Sequence, residues 1–457
     1  MKAIVNNDKI KIESVEPAFK ARLMKALSYT DTAKQWQLRR MAKNPFLKKS
    51  VAYKALEGEV YGCLMEESGS DLIIPSGFSY LLKNIDYEDH RCDTGVNISL
   101  PWKTKPFDLR DYQTEAVSLM MDNFRGLINF ATGLGKTLTA VHAIRKLKKK
   151  TLVLCPGVSI ADNFYAELVS AFGEDKVGYY GDGKKKIKDI TVGIAASVNN
   201  NIQKFIDHDF GVMIVDEVHH IPATTFYTIA ENLGSIGRIY GLTATDFRAD
   251  GKDVMITAGV GEALISRDLI WGIKNKWLRD PYIIMRDVHT HGRDHKGDKI
   301  KNYKEHVLHS LQMNEQIEGD IKKFLAAGLS VLCLVDQVAH GEQLAKAVGL
   351  PFATGTNKGS KQLVSDLNKK SIPGLIGTAK YIGEGTDTKN VDVIVLANFV
   401  AGKGSLWQNL GRGLRPFEGK MNLIVLDYVP LGSSMLSRHA KLRLKMYKEI
   451  TCKIKEC

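Results

Sequence analysis

Residues 127–137 read LINFATGLGKT, and this stretch decides the fold of the first half of the chain. Leu127–Phe130 is an apolar run typical of a buried strand, and residues 138–147 have the spacing of a helix. A strand, a glycine-rich loop and a helix in this order form a P-loop, which binds phosphate through backbone N–H groups. The strict P-loop pattern has glycine where this chain has Phe130. The stretch predicts a nucleotide site, and the alternative is a chance turn.

The residue types in this loop match the chemistry of a nucleoside triphosphate. Gly133 and Gly135 allow a tight turn that directs N–H groups at phosphate oxygens. Lys136 would reach the β- and γ-phosphates, and the Thr137 hydroxyl would bind Mg²⁺. The predicted nucleotide-contacting residues of the loop are Thr132, Gly133, Leu134, Gly135, Lys136 and Thr137.

A second apolar run, Val212–Val215, ends in the adjacent carboxylates Asp216 and Glu217. A strand of a parallel sheet delivers such side chains to the edge of the sheet where ligands bind. Asp216 would hold Mg²⁺, and Glu217 would orient or deprotonate the attacking water. The alternative is a charged strand end before a polar turn, but the pair follows Lys136 by about 80 residues, as in P-loop ATPases.

Apolar strands alternate with helix-length segments on both sides of these motifs, which indicates parallel sheets covered on both faces. The predicted strands are Leu127–Phe130, Thr151–Cys155, Ile190–Ala195, Val212–Val215, Arg238–Leu242, Val331–Val335, Leu375–Thr378, Val391–Ala397 and Asn422–Leu426. Pro101–Pro106 marks a break, residues 17–56 are predicted to be mostly helical, and residues 57–83 to form short strands. The predicted fold class is α/β, with two tandem parallel-sheet domains after a small α+β N-terminal accessory domain.

Composition excludes several classes of protein. The chain has 457 residues, a formal net charge of +13, 44% hydrophobic and 25% charged residues, which excludes a disordered or fibrous chain. It contains no apolar run of membrane-spanning length, and its first residues lack the apolar core of a signal peptide. Six scattered cysteines, none in a CxxC pair, exclude a disulfide framework. We expect a cytoplasmic protein without a membrane partner.

The positive charge is concentrated in two zones. Residues 15–56 contain ten Lys and Arg against two Asp and Glu, and residues 432–457 contain seven against two. Residues 57–93 have the opposite balance, two against nine. Each zone is compatible with a solvated helix face, but the two basic zones are also candidates for binding a polyanion.

The ordered motifs resemble those of superfamily 2 helicases and translocases, over about residues 107–416. This resemblance implies that both sheet domains are RecA-like. The elements in the first half are an adenine-reading Arg110–Gln113, the P-loop, a strand-contact motif at Cys155–Gly157, the DExH box Asp216–His219, a TAT motif at Gly241–Thr245, and Arg248 with Asp250 and Gly251.

In the second half, Gly383–Asp387 resembles a motif that contacts nucleic-acid backbone and nucleotide, and Gln408–Arg415 matches QxxGRxxR. Arg412 and Arg415 are three residues apart and are expected on one helix face. The resemblance implies that Gln408, Arg412 and Arg415 take part in catalysis, the arginines as arginine fingers. It also implies nucleotide contacts by Arg110, Gln113, Gly385 and Asp387.

Within the superfamily the chain is most similar to the phage UvsW type of branched-DNA helicase, with bacterial RecG a more distant functional analogue. DEAD-box RNA helicases fit worse, because the box reads DEVH and the third motif reads TAT. The resemblance implies ATP and Mg²⁺ as cofactors, branched or duplex DNA as a sequence-independent partner, and a monomer. It further implies roles in DNA repair, recombination or replication, in the host-cell cytoplasm if the protein is phage-encoded.

The implied function is an ATP-dependent helicase or translocase that unwinds or branch-migrates forks and junctions. The alternatives are a translocase that moves on duplex DNA without separating strands, an RNA helicase, and a nucleotide-switched binding module with negligible turnover. The expected domains are an accessory, DNA-binding domain at 1–100, RecA-like domains at 107–280 and 281–430, and a basic helical tail at 431–457.

Nucleic-acid contacts follow from motif position and from the basic N-terminal zone. In that zone Trp36 is interleaved with basic residues, which suits backbone contact or stacking, although tryptophan is more often a core residue. Lys184–Lys188 is expected to form a loop, which either faces DNA or is simply solvated. His289, His291 and His295 have metal-like spacing, but the absence of completing ligands favours a polar loop. The candidate contact residues are Gly157, Ser197, Thr354, Thr386, Lys34, Arg39 and Arg40.

Overall fold

The structure is a computed structural model that describes residues 1–244, 253–357, 359–383, 388, 390–399, 402–415 and 422–457, without the side chains of Ala33 and Arg412. It contains two compact units. The first unit comprises Met1–Phe130 and Gly135–Ser266, and the second comprises Ala131–Leu134 and Arg267–Cys457. The first four residues of the P-loop are thus grouped with the unit that carries the QxxGRxxR motif, and residues 1–100 are grouped with the first parallel sheet.

The N-terminal part of the first unit is built on a five-stranded sheet of order β5-β6-β2-β1-β7. Ile10 and Ile12 alternate with lysines along β2 and are buried, and α1 places Phe19, Leu23 and Leu27 over the same core at helical spacing. We call residues 32–59 the helical insertion. The elements are β1 (Lys2–Val5), β2 (Lys9–Glu13), α1 (Pro17–Leu27), β3 (Ser28–Thr30), α2 (Thr32–Ala42), α3 (Pro45–Lys48), α4 (Val51–Glu59), β4 (Tyr61–Cys63), β5 (Glu66–Ser68), β6 (Asp71–Pro75), a 3₁₀ helix (Ser76–Leu82) and β7 (Asp86–Asp89).

The rest of the first unit is an eight-stranded sheet of order β11-β10-β12-β9-β13-β14-β8-β15. The strands from β10 to β8 in this order run parallel. The elements are α5 (Asp111–Asp122), β8 (Arg125–Phe130), α6 (Lys136–Leu147), β9 (Thr151–Cys155), α7 (Val158–Phe172), β10 (Val177–Gly181), β11 (Lys184–Lys186), β12 (Ile190–Ile194), α8 (Ala195–Asn199), α9 (Gln203–Ile206), β13 (Val212–Val215), a 3₁₀ turn (Val218–His220), α10 (Ala223–Asn232), β14 (Arg238–Thr243), α11 (Asp253–Val260) and β15 (Ala263–Arg267).

A buried arginine joins these two parts of the first unit. Arg125 begins β8, and its guanidinium donates to the backbone carbonyls of Asn7 and Gly259. Burial lowers the pKa of Arg125 to about 10, but the group remains a cation at neutral pH. Nearby, Arg238 forms an ion pair with Asp93. These contacts explain why the N-terminal sheet and the first parallel sheet form one compact unit.

The second unit contains a seven-stranded sheet of order β18-β19-β17-β20-β21-β16-β22, in which every adjacent pair is parallel. Its elements are α12 (Leu269–Lys274), β16 (Tyr282–Val288), α13 (Lys299–Tyr303), a π-helical turn (Lys304–Leu308), α14 (Leu311–Ala326), β17 (Val331–Val335), α15 (Val338–Val348), β18 (Phe352–Ala353), α16 (Ser360–Asn368), β19 (Gly374–Thr378), α17 (Ala379–Gly383), β20 (Val393–Ala397), α18 (Lys403–Gly413), β21 (Ile424–Pro430), α19 (Ser434–Ile450) and β22 (Ile454–Glu456).

The last helix is fixed to the second sheet by a buried ion pair. Arg443 of α19 lies 2.7 Å from the Asp427 carboxylate on β21, and Tyr447 donates to the same carboxylate at 2.7 Å. Strand β22 then pairs with β16. Residues 431–457 therefore pack as part of the second unit, whereas the sequence suggested a separate tail.

The predicted α/β class, with two tandem RecA-like sheets and a small α+β N-terminal domain, is confirmed. All nine predicted strands are present, three with the predicted bounds and six with ends shifted by a few residues. The expected loop at Lys184–Lys188 is wrong in part, because Lys184–Lys186 pair antiparallel with β10. Within the described ranges, every helix is too short or too polar to span a lipid bilayer.

Candidate active site

The P-loop begins at the carboxyl end of β8 and leads into α6. Gly133 and Gly135 have φ values of +97° and +84°, which glycine adopts without the strain other residues would incur. Gly135 caps α6, and a β-carbon there would collide with the side-chain amide of Gln113. Both glycines are therefore required by the backbone geometry of the loop.

The Lys136 side chain lies inside the site and contacts Glu217, which follows β13. Its ammonium is 3.3 Å from the Phe130 carbonyl and 3.3 Å from a carboxylate oxygen of Glu217, and the residue is 9% exposed. The departure from the strict pattern at Phe130 leaves this arrangement intact, since that residue contributes only its carbonyl. The predicted phosphate lysine and the predicted catalytic glutamate are thus brought together.

Asp216 and Glu217 follow β13 and occupy different environments. The Glu217 N–H donates to the Asp216 carboxylate at 3.0 Å, and Glu217 itself has a left-handed backbone with φ of +44°. Burial, together with the negative charge of Glu217, raises the pKa of Asp216 to about 7. Burial also disfavours the charged form of Glu217, but Lys136 and two neighbouring histidines outweigh it and lower its pKa. Glu217 is therefore the ionised member of the pair.

These residues fit a bound Mg²⁺ ion. A buried carboxyl group whose pKa is raised, as in Asp216, is stabilised as a carboxylate when a cation binds beside it. Thr137 lies in the first turn of α6, next to Lys136. The described residues contain no group of three His, Cys, Asp or Glu that could hold a metal ion. Mg²⁺ needs no such group, because nucleotide phosphates and water commonly complete its coordination.

His219 connects the carboxylates to the TAT motif. Its Nδ1 is 2.7 Å from the Thr243 hydroxyl at the end of β14 and 3.6 Å from a carboxylate oxygen of Glu217. Strand β14 lies between β8 and β13, so this contact spans the central strands of the sheet. Sequence reasoning named His219 only as part of the DExH box, and it missed this hydrogen bond.

Gln113, which the motif resemblance suggests reads adenine, lies beside the P-loop residue Gly135. Its side-chain oxygen accepts a hydrogen bond from the Arg110 N–H at 3.0 Å, and the residue is buried beside Gly135. The Arg110 guanidinium donates to the Tyr112 hydroxyl at 3.1 Å. The amide of Gln113 is therefore held at the first turn of α5, next to the loop that would bind phosphate.

The QxxGRxxR motif differs from the prediction in one respect. Helix α18 contains Gln408 and Arg412 and ends at Gly413. Arg415 lies beyond the C-cap residue Leu414, so only Arg412 of the two arginines belongs to the helix, and the predicted shared face stays a prediction. The remaining motif residues lie outside the described part of the chain, namely Thr245, Arg248, Asp250, Gly251, Gly385, Thr386 and Asp387.

The candidate nucleic-acid contacts of the two parallel-sheet domains differ in accessibility. Gly157 caps α7 and has open space where a side chain would begin, and Ser197 on α8 is partly exposed. Thr354, however, is buried, and its hydroxyl hydrogen-bonds to Thr356 at 2.8 Å. Thr356 is exposed, so it presents the more accessible hydroxyl at this position.

The candidate contacts on the helical insertion lie at its surface. Arg39 and Arg40 are exposed, whereas Lys34 forms an ion pair with Glu59 at 2.6 Å. The expectation that Trp36 belongs to a core is wrong, because the residue is 64% exposed. The Arg40 guanidinium lies 5.7 Å from the centre of the Trp36 ring, which places a cation beside an aromatic face.

The chain is similar in sequence to several known proteins. Residues 106–248 match the family described as type III restriction enzyme, res subunit. The chain is 32% identical to the DNA 3′-5′ translocase XPB2 of Sulfurisphaera tokodaii over 199 residues, 44% of each protein. It is 27% identical to "Probable helicase D10" of Escherichia phage T5 over 384 residues, 80% of each. It spans about half the length of several other curated relatives that it matches.

Two solved structures are similar to this chain. Yeast Dbp5 bound to RNA and ADP BeF3 covers 76% of this chain and 89% of its own, with a TM-score of 0.56 and 12% identity. The crystal structure of T4 UvsW covers 100% of this chain and 99% of its own at 16% identity, but its TM-score of 0.45 is too low to support an argument. The first of these likenesses supports the fold alone.

The fold and the site together define a P-loop protein with tandem RecA-like domains. The family match and the relatives support a superfamily 2 helicase or translocase.

Proposed function

We propose that this protein is an ATP-dependent DNA helicase or translocase that unwinds or branch-migrates branched DNA. The observation that carries the proposal is the contact between Lys136 and Glu217, with Asp216 beside them at one edge of the first sheet. A cation for phosphate, a carboxylate for Mg²⁺ and a carboxylate for water are the groups that P-loop hydrolysis requires. All three are present in one compact unit.

The side chains of the site would have separate roles in ATP hydrolysis. Thr137 and Asp216 would hold Mg²⁺, which when bound with ATP neutralises charge that develops on the phosphates. Lys136 now pairs with Glu217, and a bound γ-phosphate would compete for the same ammonium. Binding of the nucleotide thereby makes the Glu217 carboxylate more available to accept a hydrogen bond from the attacking water.

Changes at the nucleotide site would be transmitted to the rest of the first sheet through His219. Its hydrogen bond to Thr243 makes the end of β14 sensitive to rearrangement of the Glu217 carboxylate. The motif matches support catalytic roles for Gln408, Arg412 and Arg415, and nucleotide contacts by Arg110, Gln113, Gly385 and Asp387. These roles remain proposals that rest on the motif resemblance.

The names of the relatives support DNA as the partner, since the XPB2 relative is called a DNA translocase. The surface of the helical insertion supports a sequence-independent grip, because its arginines are exposed and suit phosphate. We assign DNA binding to residues 1–100, with further strand contacts at Gly157, Ser197, Thr354 and Thr386. We assign motor roles to 107–280 and 281–430.

ATP hydrolysis measured with forks, four-way junctions, plain duplex and RNA tests this function. We expect the largest stimulation with forks or junctions, and a Glu217→Gln variant should lose about 10²–10⁴ in turnover because the general base is removed. Its matched control is Glu262→Gln, a carboxylate of the same unit outside this site. Best stimulation by RNA, or turnover equal to wild type in Glu217→Gln, would overturn the proposal.

A translocase that moves on duplex DNA without separating strands is the second candidate. Strand displacement and triplex displacement distinguish the two, since only a helicase performs the first. Activity in the triplex assay alone would select the second candidate.

A further inference from the structure

The helical insertion projects from the N-terminal sheet at a narrow base. Strands β3 and β4 pair antiparallel on either side of it, from Ser28 opposite Cys63 to Thr30 opposite Tyr61. The Asp31 N–H donates to the Val60 carbonyl at 2.8 Å, so the chain leaves and returns at the same place. The three helices between these points form a separate projection.

The projection has no core of its own but exposes large apolar side chains. None of the described side chains of residues 32–59 is buried. Of the eighteen large apolar side chains that are exposed in the described residues, four lie on the helical insertion and a fifth lies at its base on β4. Scattered apolar side chains on a surface need no explanation, but a concentration of them marks an interaction site. The five are Trp36, Phe46, Leu47, Val51 and Tyr61.

The short helix α3 holds two of these side chains at a defined turn. Phe46 is 89% exposed and Leu47 follows it. The Asn44 side chain accepts from the Phe46 N–H at 3.0 Å, and the Ser50 hydroxyl accepts from the Tyr53 N–H at 3.1 Å. Helix caps on both sides therefore fix the backbone that presents Phe46, although no neighbouring element covers it.

Basic side chains surround the same turn. Lys43, Lys48 and Lys49 are exposed, and residues 38–54 contain no Asp or Glu. An aromatic ring with lysines on both sides in sequence is complementary to an unpaired base beside its phosphates. A membrane surface fits less well, because membrane-surface helices present a long apolar face and α3 has only four residues.

We propose that Phe46 and Leu47 form a wedge that stacks on an unpaired base where single strands meet duplex, while Lys43, Lys48 and Lys49 bind the adjacent phosphates. This inference rests on the proposed function and names the DNA feature that the N-terminal domain recognises. The rigid turn supplies the aromatic surface, and the lysines direct it to the nucleic acid.

A fork with 2-aminopurine as the first unpaired base tests the wedge directly, without ATP. Stacking of the 2-aminopurine base on Phe46 should quench the fluorescence of that base, and Phe46→Ala should abolish the quenching. The rate of strand separation should also fall at least about fivefold, the lower end of a base–aromatic stacking contact. Phe46→Trp should preserve both signals, and hydrolysis stimulated by single-stranded DNA should be unchanged in both variants.

Tyr87→Ala is the matched control. Tyr87 is an aromatic residue of the same domain, 46% exposed, but acidic residues flank it at Asp86 and Glu88. It should behave as wild type in every assay. Equal quenching and equal strand separation by Phe46→Ala and wild type would overturn the wedge. So would a Phe46→Ala variant whose only defect is weaker binding to vesicles of anionic lipid.

The two proposals fail in different ways. Wild-type protein that quenches the fork but hydrolyses ATP without DNA stimulation would contradict the proposed function and leave the wedge supported. Normal strand separation by Phe46→Ala would contradict the wedge alone.

Discussion

The carboxyl edge of the first RecA-like sheet and the helical insertion both depend on basic side chains, but they hold them in opposite ways. At the sheet edge Lys136 is nearly buried and lies 3.3 Å from Glu217. On the helical insertion Arg39 and Arg40 are exposed, and no described side chain of residues 32–59 is buried. The sheet edge fixes one positive charge at one position, whereas the helical insertion distributes several positive charges over its surface.

The difference follows from what each region has to bind. Hydrolysis needs a few groups in fixed positions, and a buried group is held there by neighbours that must also neutralise it. A grip on phosphates needs many exchangeable contacts, each of which contributes little and is weakened by salt. Removing one buried charge should therefore change turnover or stability greatly. Removing one exposed charge should change the affinity for DNA only slightly.

The largest effect is expected for Lys136→Ala. The substitution removes the phosphate-binding cation and leaves Glu217 without its strongest attractive partner, so turnover should fall by about 10²–10³-fold or more. Binding of DNA, measured by fluorescence anisotropy, should be retained. Lys184→Ala on the exposed edge strand β11 is the control and should hydrolyse ATP normally. Equal loss of DNA binding and turnover in Lys136→Ala would contradict the separation of the two regions.

The same contrast occurs within one helix. Arg443 and Lys441 are two residues apart on α19, but the Arg443 side chain is 1% exposed and bonded to Asp427, while Lys441 is exposed. Arg443→Met leaves a buried carboxylate without its cation, which should destabilise the second unit by about 3–5 kcal/mol. Lys441→Met should change the free energy of unfolding by less than about 0.5 kcal/mol.

Hydrogen exchange at the amides of β21 measures this difference locally, without assuming that both units unfold together. Protection of β21 should fall in Arg443→Met and stay at the wild-type level in Lys441→Met. Similar protection in both variants would show that burial of the ion pair does not control the stability of this sheet.

Much of the architecture could be predicted from sequence because buried parallel strands consist of continuous apolar residues. Thr151–Cys155, Val212–Val215 and Val331–Val335 have the predicted bounds. Strand β10 was missed, since Val177–Gly181 reads VGYYG and two glycines interrupt its apolar pattern. Strand β2 was missed although KIKIE shows the alternation of a half-buried strand.

The candidate site was predictable in its residue types but not in its contacts. Motif spacing led to Lys136 and Glu217, and the structure brings them together. The hydrogen bond between Thr243 and His219 depends on β14 lying beside β13, and strand order cannot be read from one sequence. Trp36 was expected to favour a core because nothing in its local sequence shows that α2 lacks a covering element.

The smallest effects per replaced side chain are expected on the helical insertion. Replacing both Arg39 and Arg40 by Gln should weaken binding to a fork about tenfold and reduce the slope of log affinity against log salt by about 2, one unit for each lost phosphate contact. Lys34→Gln should change the slope less, because the Lys34 ammonium already pairs with Glu59 at 2.6 Å. Basal ATP hydrolysis should be unaffected in both, since the site at the sheet edge is unchanged.

Lys2→Gln combined with Lys11→Gln supplies the control for charge alone. These lysines are also exposed and belong to the same domain, but both are in ion pairs. Lys2 pairs with Glu88, and Lys11 pairs with Glu13 and Asp71. Their loss should leave the salt slope at the wild-type value. If this pair changes the slope as much as the two arginines do, the DNA grip is a property of net charge and is not localised on the helical insertion.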